Sequence, residues 1–182
     1  MFWKHLFKPS RQLVAARDLY AAIVAQSRQQ GFYENLKVPD TLDGRFDLIT
    51  LHAVLVMDRL SAEGDPAARD FGQLLFDEMF TQLDLNLREM GVGDLSISKR
   101  VKRMAEVFYG RAGAYRAALR THDEIALAQA LARNLYPEGA PVGAGEALAK
   151  YACGVVESLN QQAVSDIMQA KISMPPAPEA NS

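Results

Sequence analysis

Apolar residues recur along this chain with the period of an α-helix, and no segment alternates in the way that a β-strand does. The clearest stripe has an apolar side chain at every fourth position: Phe71, Leu75, Met79, Leu83 and Leu87. Such a stripe lies on one face of a helix, which packs against the rest of the protein. The pattern therefore predicts an all-α fold in which about six helices form a single domain.

Capping residues and helix-breaking residues divide the chain into these helices. Asp65 followed by Pro66 is a strong start signal, and Gly91 ends the helix that begins there. Because only a short link follows Gly91, the third and fourth helices are predicted to form a long antiparallel hairpin. The predicted helices span residues 10–30, 43–61, 65–90, 96–120, 121–136 and 145–172, with Ser10, Ser96 and a capping box from Thr121 as further start signals.

Three segments fall outside these helices. Residues 32–41 are predicted to be irregular, because Pro39 disfavours helix at the residue before it. Residues 173–182 are rich in proline and are predicted to be a disordered tail. The helical domain is therefore assigned to residues 10–172, and residues 1–9 are treated as a separate N-terminal segment.

Composition indicates an ordinary globular protein and argues against several functions. The chain has 182 residues, of which 49 % are hydrophobic and 23 % charged, which suits one domain with one core. A net charge of -2 argues against DNA binding, so contact with RNA or anionic lipid needs a local basic patch. The single cysteine, Cys153, fits a reducing compartment, and no apolar run approaches the roughly 20 residues of a membrane span. We expect a cytoplasmic protein.

The two helices of the predicted hairpin carry opposite charge. The third is mainly acidic and the fourth mainly basic, and pairing about the turn places Asp84 level with roughly Arg103. A basic helical face binds lipid headgroups, RNA phosphates or an acidic partner, although many such faces are simply solvated. RNA binding also needs an exposed aromatic side chain, for which Tyr109 is the candidate. The predicted partner-binding residues are Asp84, Asn86, Arg88, Glu89, Lys99, Arg100, Lys102 and Arg103.

The N-terminal segment is a second candidate surface. If residues 1–9 are helical, their apolar side chains fall together and the two lysines lie elsewhere. Aromatic side chains with nearby lysines are typical of a membrane interface, whereas the alternative is a docked or frayed terminus. The predicted membrane-interface residues are Phe2, Trp3, Leu6 and Phe7.

The sequence lacks the usual signatures of catalysis. His5, His52 and His122 are far apart and have no metal-ligand spacing, and there is no phosphate-binding loop or nucleophile elbow. Asp77 and Glu78 are adjacent, so on a helix they diverge and are predicted to be solvated. We therefore predict a protein that is not an enzyme and holds neither a cofactor nor a metal.

A few further positions have two interpretations. Arg45 and Arg59 either bridge carboxylates between helices or contact a partner. Gly110 and Gly113 lie inside the fourth helix, where each costs about 1 kcal/mol relative to alanine, which predicts a close helix contact or a kink. His52 is predicted to be a satisfied or half-exposed side chain.

Several ordered motifs together resemble the ubiquinol–cytochrome c chaperone family. The most specific motif is LDLNLREMGVGD at residues 83–94, and YENLKVPDTLDGRF at residues 33–46 is another. The resemblance covers roughly residues 30 to 175. Its further segments are residues 51–60, 74–80, 99–104 and 108–119.

The resemblance implies a non-catalytic assembly chaperone that binds newly made cytochrome b, or another subunit, during maturation of the cytochrome bc complex. Because no mitochondrial-type presequence precedes residue 10, it implies a bacterial member at the cytoplasmic membrane face, with peripheral membrane contact. Mitochondrial relatives also work near the ribosome, which makes the ribosome a further candidate partner. The alternative function is therefore a ribosome- or RNA-contacting module that uses the basic face of the fourth helix.

Overall fold

The computed structural model of the protein describes residues 10–179, and all regular secondary structure in this part of the chain is helical, without a strand. The predicted all-α single domain is confirmed. The helices are α1 (Arg11–Ser27), α2 (Gln30–Glu34), α3 (Leu42–Ala62), α4 (Pro66–Glu89), α5 (Asp94–Arg120), α6 (Glu124–Leu135), α7 (Ala144–Asn160) and α8 (Val164–Ile167).

Helix α3 is the centre of the fold. Its residues 46–57 are buried without interruption, and it contacts α1, α4, α5, α6 and α7. A helix that is apolar on all sides is stable in water only when other helices surround it. The Thr41 side chain caps its start by accepting a hydrogen bond from the backbone N–H of Gly44 (3.1 Å). The neighbouring elements are therefore positioned relative to α3.

The predicted antiparallel hairpin is confirmed as α4 and α5. Asp65 caps α4, Pro66 occupies its first turn, and Gly91 turns the chain at a φ of 78°. The ring centroids of Phe76 and Phe108 lie 5.3 Å apart in an edge-on arrangement, so the two helices pack through aromatic side chains away from the turn. The hairpin forms one side of the domain.

Two predicted helix starts are wrong. Helix α5 begins after Gly93, which has no side chain to cap it, instead of at Ser96. Helix α6 is capped by Asp123, which accepts from Ala126, whereas Thr121 ends α5 and does not open a capping box. Each observed start has an acidic residue in the first turn, Asp94 in α5 and Glu124 in α6. A negative charge at this position interacts favourably with the helix dipole.

The predicted lengths of the first and last helices are also wrong. Helix α1 ends at Ser27, and residues 30–34, partly assigned to an irregular segment, form the single turn α2. The long sixth helix stops at Asn160 because Arg59 of α3 binds its end, donating to the carbonyls of Leu159 and Gln162 (both 3.0 Å). These contacts satisfy carbonyls that a continuing helix would have used itself.

The described part of the proline-rich tail is packed, which differs from the predicted disorder. Residues 171–179, which we call the strap, have no regular secondary structure and run back along α7. The strap is held by Gln26, whose amide donates to the Pro175 carbonyl (2.6 Å), and by Gln29, which accepts from the Ala177 N–H (2.6 Å). These hydrogen bonds to main-chain groups fix an extended segment that its composition alone would leave disordered.

A buried polar network connects the strap to α1, α3 and α7. His52 is fully buried, and its Nδ1 donates to the Leu48 carbonyl (2.7 Å), so its Nε2 accepts from the Tyr151 hydroxyl (2.7 Å). Tyr151 in turn accepts from Gln26 (2.8 Å). Desolvation lowers the pKa of His52 from its ordinary value of 6.5 to about 4, so the ring stays neutral in the core. Of the two alternatives predicted for His52, the structure confirms the one in which its hydrogen bonds are satisfied.

A buried ion pair connects α3 to α5. The Arg111 guanidinium contacts the Asp47 carboxylate, and both side chains are largely shielded from water. Burial lowers the pKa of Arg111, and the Phe46 ring lies 6.0 Å from the centre of its guanidinium. The pairing of Asp47 with Arg111 was not predicted from the sequence.

The glycines inside α5 do not mark a close contact within the described chain. A Cβ atom added to Gly110 or Gly113 would meet nothing within 4 Å, so the predicted close helix contact is wrong. Gly44 behaves differently, because its Cβ would lie 2.1 Å from the Pro39 carbonyl oxygen. No helix among residues 10–179 combines the length and the apolarity that crossing a bilayer requires.

Candidate interaction site

An open groove of about 860 Å³ lies between α1, α3 and the C-terminal half of α4. Apolar side chains from all three helices and from α5 line it, and charged side chains stand around them. The apolar lining includes Val24, Leu42, Phe46, Ile49, Leu87 and Met104, and the charged residues are Arg17, Asp18, Arg28, Arg45, Glu78 and Glu89. A groove of this kind accepts an elongated apolar segment that carries polar flanks.

A buried carboxylate, Glu78, forms part of the groove wall. Glu78 is only 3 % exposed, and both of its oxygens accept from Arg17 Nε on α1 (3.2 Å each). Gln82 donates a further hydrogen bond to it (2.7 Å). The prediction that Glu78 is solvated is therefore wrong. The pair holds α1 against α4, since a buried carboxylate without a partner is costly.

Arg45 on α3 is another charged residue that lines the groove. It binds Asp40 through Nε (2.5 Å), a hydrogen bond that holds the pKa of this exposed aspartate below its ordinary value. Arg45 therefore forms a local pair and bridges no helices among the described residues. Arg59, in contrast, pairs with Glu63 on its own helix and caps α7, as described above. Both arginines have partners within the fold.

Tyr20 on α1 adds a buried phenol to the groove wall. Burial raises its pKa to about 12, so the hydroxyl stays protonated. Together with Val24, one turn further along, it shows that α1 presents apolar side chains to the groove as well as to the core. Tyr20 belongs to the apolar stripe that the sequence predicts for the first helix, together with Leu19 and Ile23, whereas Val24 was not predicted although it follows Tyr20 at i+4.

The structure separates the predicted acidic set into different surroundings. Asn86 and Glu89 line the groove and are exposed. Asp84 does not line it, and Arg88 binds this carboxylate (2.6 Å) and also that of Asp94 across the turn (2.6 Å). The cross-helix pair therefore joins a base of α4 to an acid of α5, the reverse of the predicted neutralisation of Asp84 by Arg103. The role of all four residues in partner binding stays a prediction.

The predicted basic set stays together on one exposed surface. Lys99, Arg100, Lys102 and Arg103 are all exposed on the first turns of α5. Within residues 10–179 none of them takes part in an ion pair. The four bases therefore form a charged patch with no partner in the described fold, and their partner-binding role stays a prediction.

The predicted membrane-interface residues lie outside the described part of the chain. Phe2, Trp3, Leu6 and Phe7 all precede residue 10, so their proposed contact with lipid stays a prediction. Among the described residues, no group of three or more metal-ligating side chains comes together.

The fold and the groove define a helical protein whose polar groups either form buried pairs between helices or lie exposed on its exterior. A sequence model of the family described as ubiquinol-cytochrome C chaperone matches residues 34–174. This match spans more than half of the chain, and the chain therefore belongs to the ubiquinol-cytochrome C chaperone family.

Two similar proteins agree with this assignment. The crystal structure of the Cbp3 homolog from Brucella abortus superimposes with a TM-score of 0.81 at 36 % identity, covering 92 % of each chain. The ubiquinol-cytochrome-c reductase complex assembly factor 1 of Xenopus laevis is 28 % identical over 122 residues, which are 67 % of this chain. The matched region spans 60 % of that relative's length, so less than two thirds of the relative is represented here.

Proposed function

We propose that this protein is a non-catalytic assembly chaperone that binds newly made cytochrome b during maturation of the ubiquinol–cytochrome c reductase complex. The observation that carries the proposal is the family match over residues 34–174, together with the open groove inside the matched region. The names of the similar proteins support the same complex, since one is an assembly factor of ubiquinol-cytochrome-c reductase.

The groove is the proposed client site because its chemistry suits an unassembled membrane subunit. Such a client exposes apolar helical surface with polar residues at its ends before it meets its final partners. Apolar lining residues such as Val24 and Ile49 bind the helical surface, and polar lining residues such as Glu89, Asn86 and Arg45 bind the polar flanks. Binding of this kind needs no covalent step.

The buried or paired polar groups of the groove are arranged for holding and not for proton transfer. Glu78 already accepts hydrogen bonds from Arg17 and Gln82, and Arg45 is bound to Asp40. Tyr20 is kept protonated by burial. A general acid or base needs a free group near the operating pH, and these groups have other partners or the wrong pKa.

Deleting the gene tests the proposed function. In the deletion strain we expect the mature cytochrome bc complex to be depleted, as measured by haem spectra and by blue-native electrophoresis of solubilised membranes. A normal amount of complex in a clean deletion contradicts the proposal. Affinity purification from detergent-solubilised membranes should co-purify cytochrome b with the wild-type protein.

Two matched substitutions on α1 test the groove itself. Val24 lines the groove, whereas Val14 lies on the same helix, is 41 % exposed and is not part of the groove. Val24→Glu places a charge against the apolar lining, so we expect it to fail to restore the complex in the deletion strain, while Val14→Glu restores it. Because Val24 is partly buried against the core, thermal unfolding of both purified variants is measured, and the comparison is made at a growth temperature at which both are folded. Equal rescue by both variants contradicts the groove as the client site.

A further inference from the structure

The end of the α4–α5 hairpin exposes apolar side chains that the described fold does not cover. Met90 is 62 % exposed at the turn, and Leu85 is 45 % exposed one and a half turns before it. Scattered apolar residues on a surface are common, but here two large ones lie close to the turn of one helix hairpin. The tip therefore has an apolar component of its own.

The basic patch of α5 begins directly behind this tip. Its four residues, Lys99, Arg100, Lys102 and Arg103, are exposed and have no ion-pair partner within residues 10–179. On the turn side, Arg88 binds both Asp84 and Asp94, and the one acid of α5 near the patch is the exposed Glu106, one turn beyond Lys102 and Arg103. Residues 84–103 contain five bases and three acids, although the whole chain has a net charge of -2. The tip is thus a positive region on a slightly negative protein.

The combination of apolar and basic side chains fits an anionic bilayer better than it fits RNA. The surface of an anionic bilayer attracts bases and also accepts apolar side chains at the headgroup boundary. RNA attracts the bases equally but recognises aromatic stacking and not aliphatic side chains. The nearest exposed aromatic, Tyr109, packs its ring against Phe76 and Phe108, at centroid distances of 5.5 and 5.7 Å. The bilayer therefore fits this surface better.

We propose that the tip of the α4–α5 hairpin docks onto the surface of an anionic phospholipid bilayer. Met90 and Leu85 enter the headgroup region, and Lys99, Arg100, Lys102 and Arg103 bind lipid phosphates. Met90 also lines the groove, so docking in this way places the groove beside the membrane, where an unassembled membrane subunit would emerge. Only this last consequence rests on the proposed function.

Co-sedimentation with vesicles tests the docking directly. The purified full-length protein is incubated with vesicles of phosphatidylcholine alone or with one third phosphatidylglycerol. We expect binding to the anionic vesicles only, with recovery that falls as salt is raised. Lys102→Glu with Arg103→Glu should lower the partition coefficient at least about twenty-five-fold, since each base near an anionic surface contributes roughly a factor of five. Met90→Asp should lower it about tenfold by removing an inserted side chain.

Distant substitutions of the same type serve as controls. Arg120→Glu with Lys150→Glu changes the net charge equally at other exposed positions, and Ile125→Asp removes an apolar side chain that is 72 % exposed. Both controls should bind anionic vesicles within about twofold of wild type, because local attraction and not net charge decides binding. Each variant is checked for the wild-type unfolding temperature.

Three results would overturn the proposal. The first is equal recovery of the wild-type protein with neutral and anionic vesicles, or no recovery with either. The second is an equal loss of binding in the distant charge variant. The third is that reversing Lys102 and Arg103 abolishes co-sedimentation with purified ribosomes and leaves vesicle binding unchanged, which would assign the patch to RNA. None of these results affects the gene-deletion test of the proposed function, because no client is present.

Discussion

Two parts of α5 contain the same residue type in opposite situations. Arg111, in the middle of the helix, is 17 % exposed and is paired with the buried Asp47 of α3. Arg103, about two turns earlier, is exposed and has no ion-pair partner among residues 10–179. A charge that the fold pairs internally stabilises the scaffold, whereas a charge that the fold leaves exposed is available to something else. The basic residues of α5 therefore belong to two kinds, one paired inside the fold and the other exposed.

The same contrast extends to the two ends of the domain. At the strap, polar side chains are buried and each has partners, as in the contacts among Gln26, His52 and Tyr151. At the hairpin tip, polar and apolar side chains alike are exposed. A buried and satisfied network rigidifies the region that contains it. The strap end is therefore held by internal hydrogen bonds, whereas the tip keeps large apolar and basic side chains exposed.

The largest expected effect separates the two arginines of α5. Asp47→Ala leaves the Arg111 charge buried without its partner, so we expect the free energy of unfolding to fall by about 3–5 kcal/mol. Arg103→Ala removes an exposed charge and should change it by less than about 0.5 kcal/mol. Urea denaturation of both variants measures the difference. Similar losses in the two variants would refute the division of α5 into a structural and an exposed part.

A smaller effect concerns the pH dependence of the buried network. The pKa of His52 is about 4 in the folded protein against an ordinary 6.5, so the unfolded chain binds a proton that the folded one does not between these values. The contribution of neutral His52 is therefore complete above about pH 6.5 and is lost as the pH falls towards 4, in total about 3 kcal/mol.

The difference between two variants isolates this contribution from the carboxylates that titrate in the same range. His52→Gln should flatten the dependence of unfolding free energy on pH between 6.5 and 4, while His122→Gln, at an exposed position, should keep the wild-type slope. The measurement is urea denaturation at half-unit pH steps. A wild-type slope in His52→Gln would show that the network does not couple this proton to folding.

The smallest expected effect compares two glycines. A Cβ at Gly31 would lie 2.8 Å from the Pro178 carbonyl oxygen of the strap, so Gly31→Ala should displace the strap and cost about 1–2 kcal/mol. Gly113→Ala meets nothing within 4 Å and should stabilise α5 by about 1 kcal/mol. Trypsin cleavage after the exposed Lys171 should become faster only in Gly31→Ala. Unchanged cleavage there would mean that the strap is held by other contacts.

Local signals in the sequence were sufficient for much of the fold. Asp65 and Pro66 start α4 where predicted, and Gly91 turns the chain into the hairpin. These features depend on residues within one turn of each other, so propensity and capping chemistry decide them. The errors came where a distant residue intervened, as when Arg59 binds the carbonyls at the end of α7 and stops the helix.

Less of the candidate site could be predicted from the sequence. Of the predicted partner-binding residues, Asn86 and Glu89 line the groove, while the four bases lie on a separate surface. Val24 and Ile49 belong to the groove and were indistinguishable from core residues, because a stripe of apolar residues does not reveal whether a neighbour covers it. Glu78 was read as solvated since its partner, Arg17, is 61 positions away in the chain.

The sequence by itself determined that this chain is helical, where its hairpin turns, and which family its motifs resemble, because these properties reside in local spacing and residue type. Only the tertiary structure decided which charges are buried in pairs, that residues 171–179 pack against α1, α2 and α7, and that α1, α3 and α4 leave a groove between them. The physical reason is that burial and pairing depend on residues brought together from distant positions, and a helical period specifies a face without specifying what lies against it.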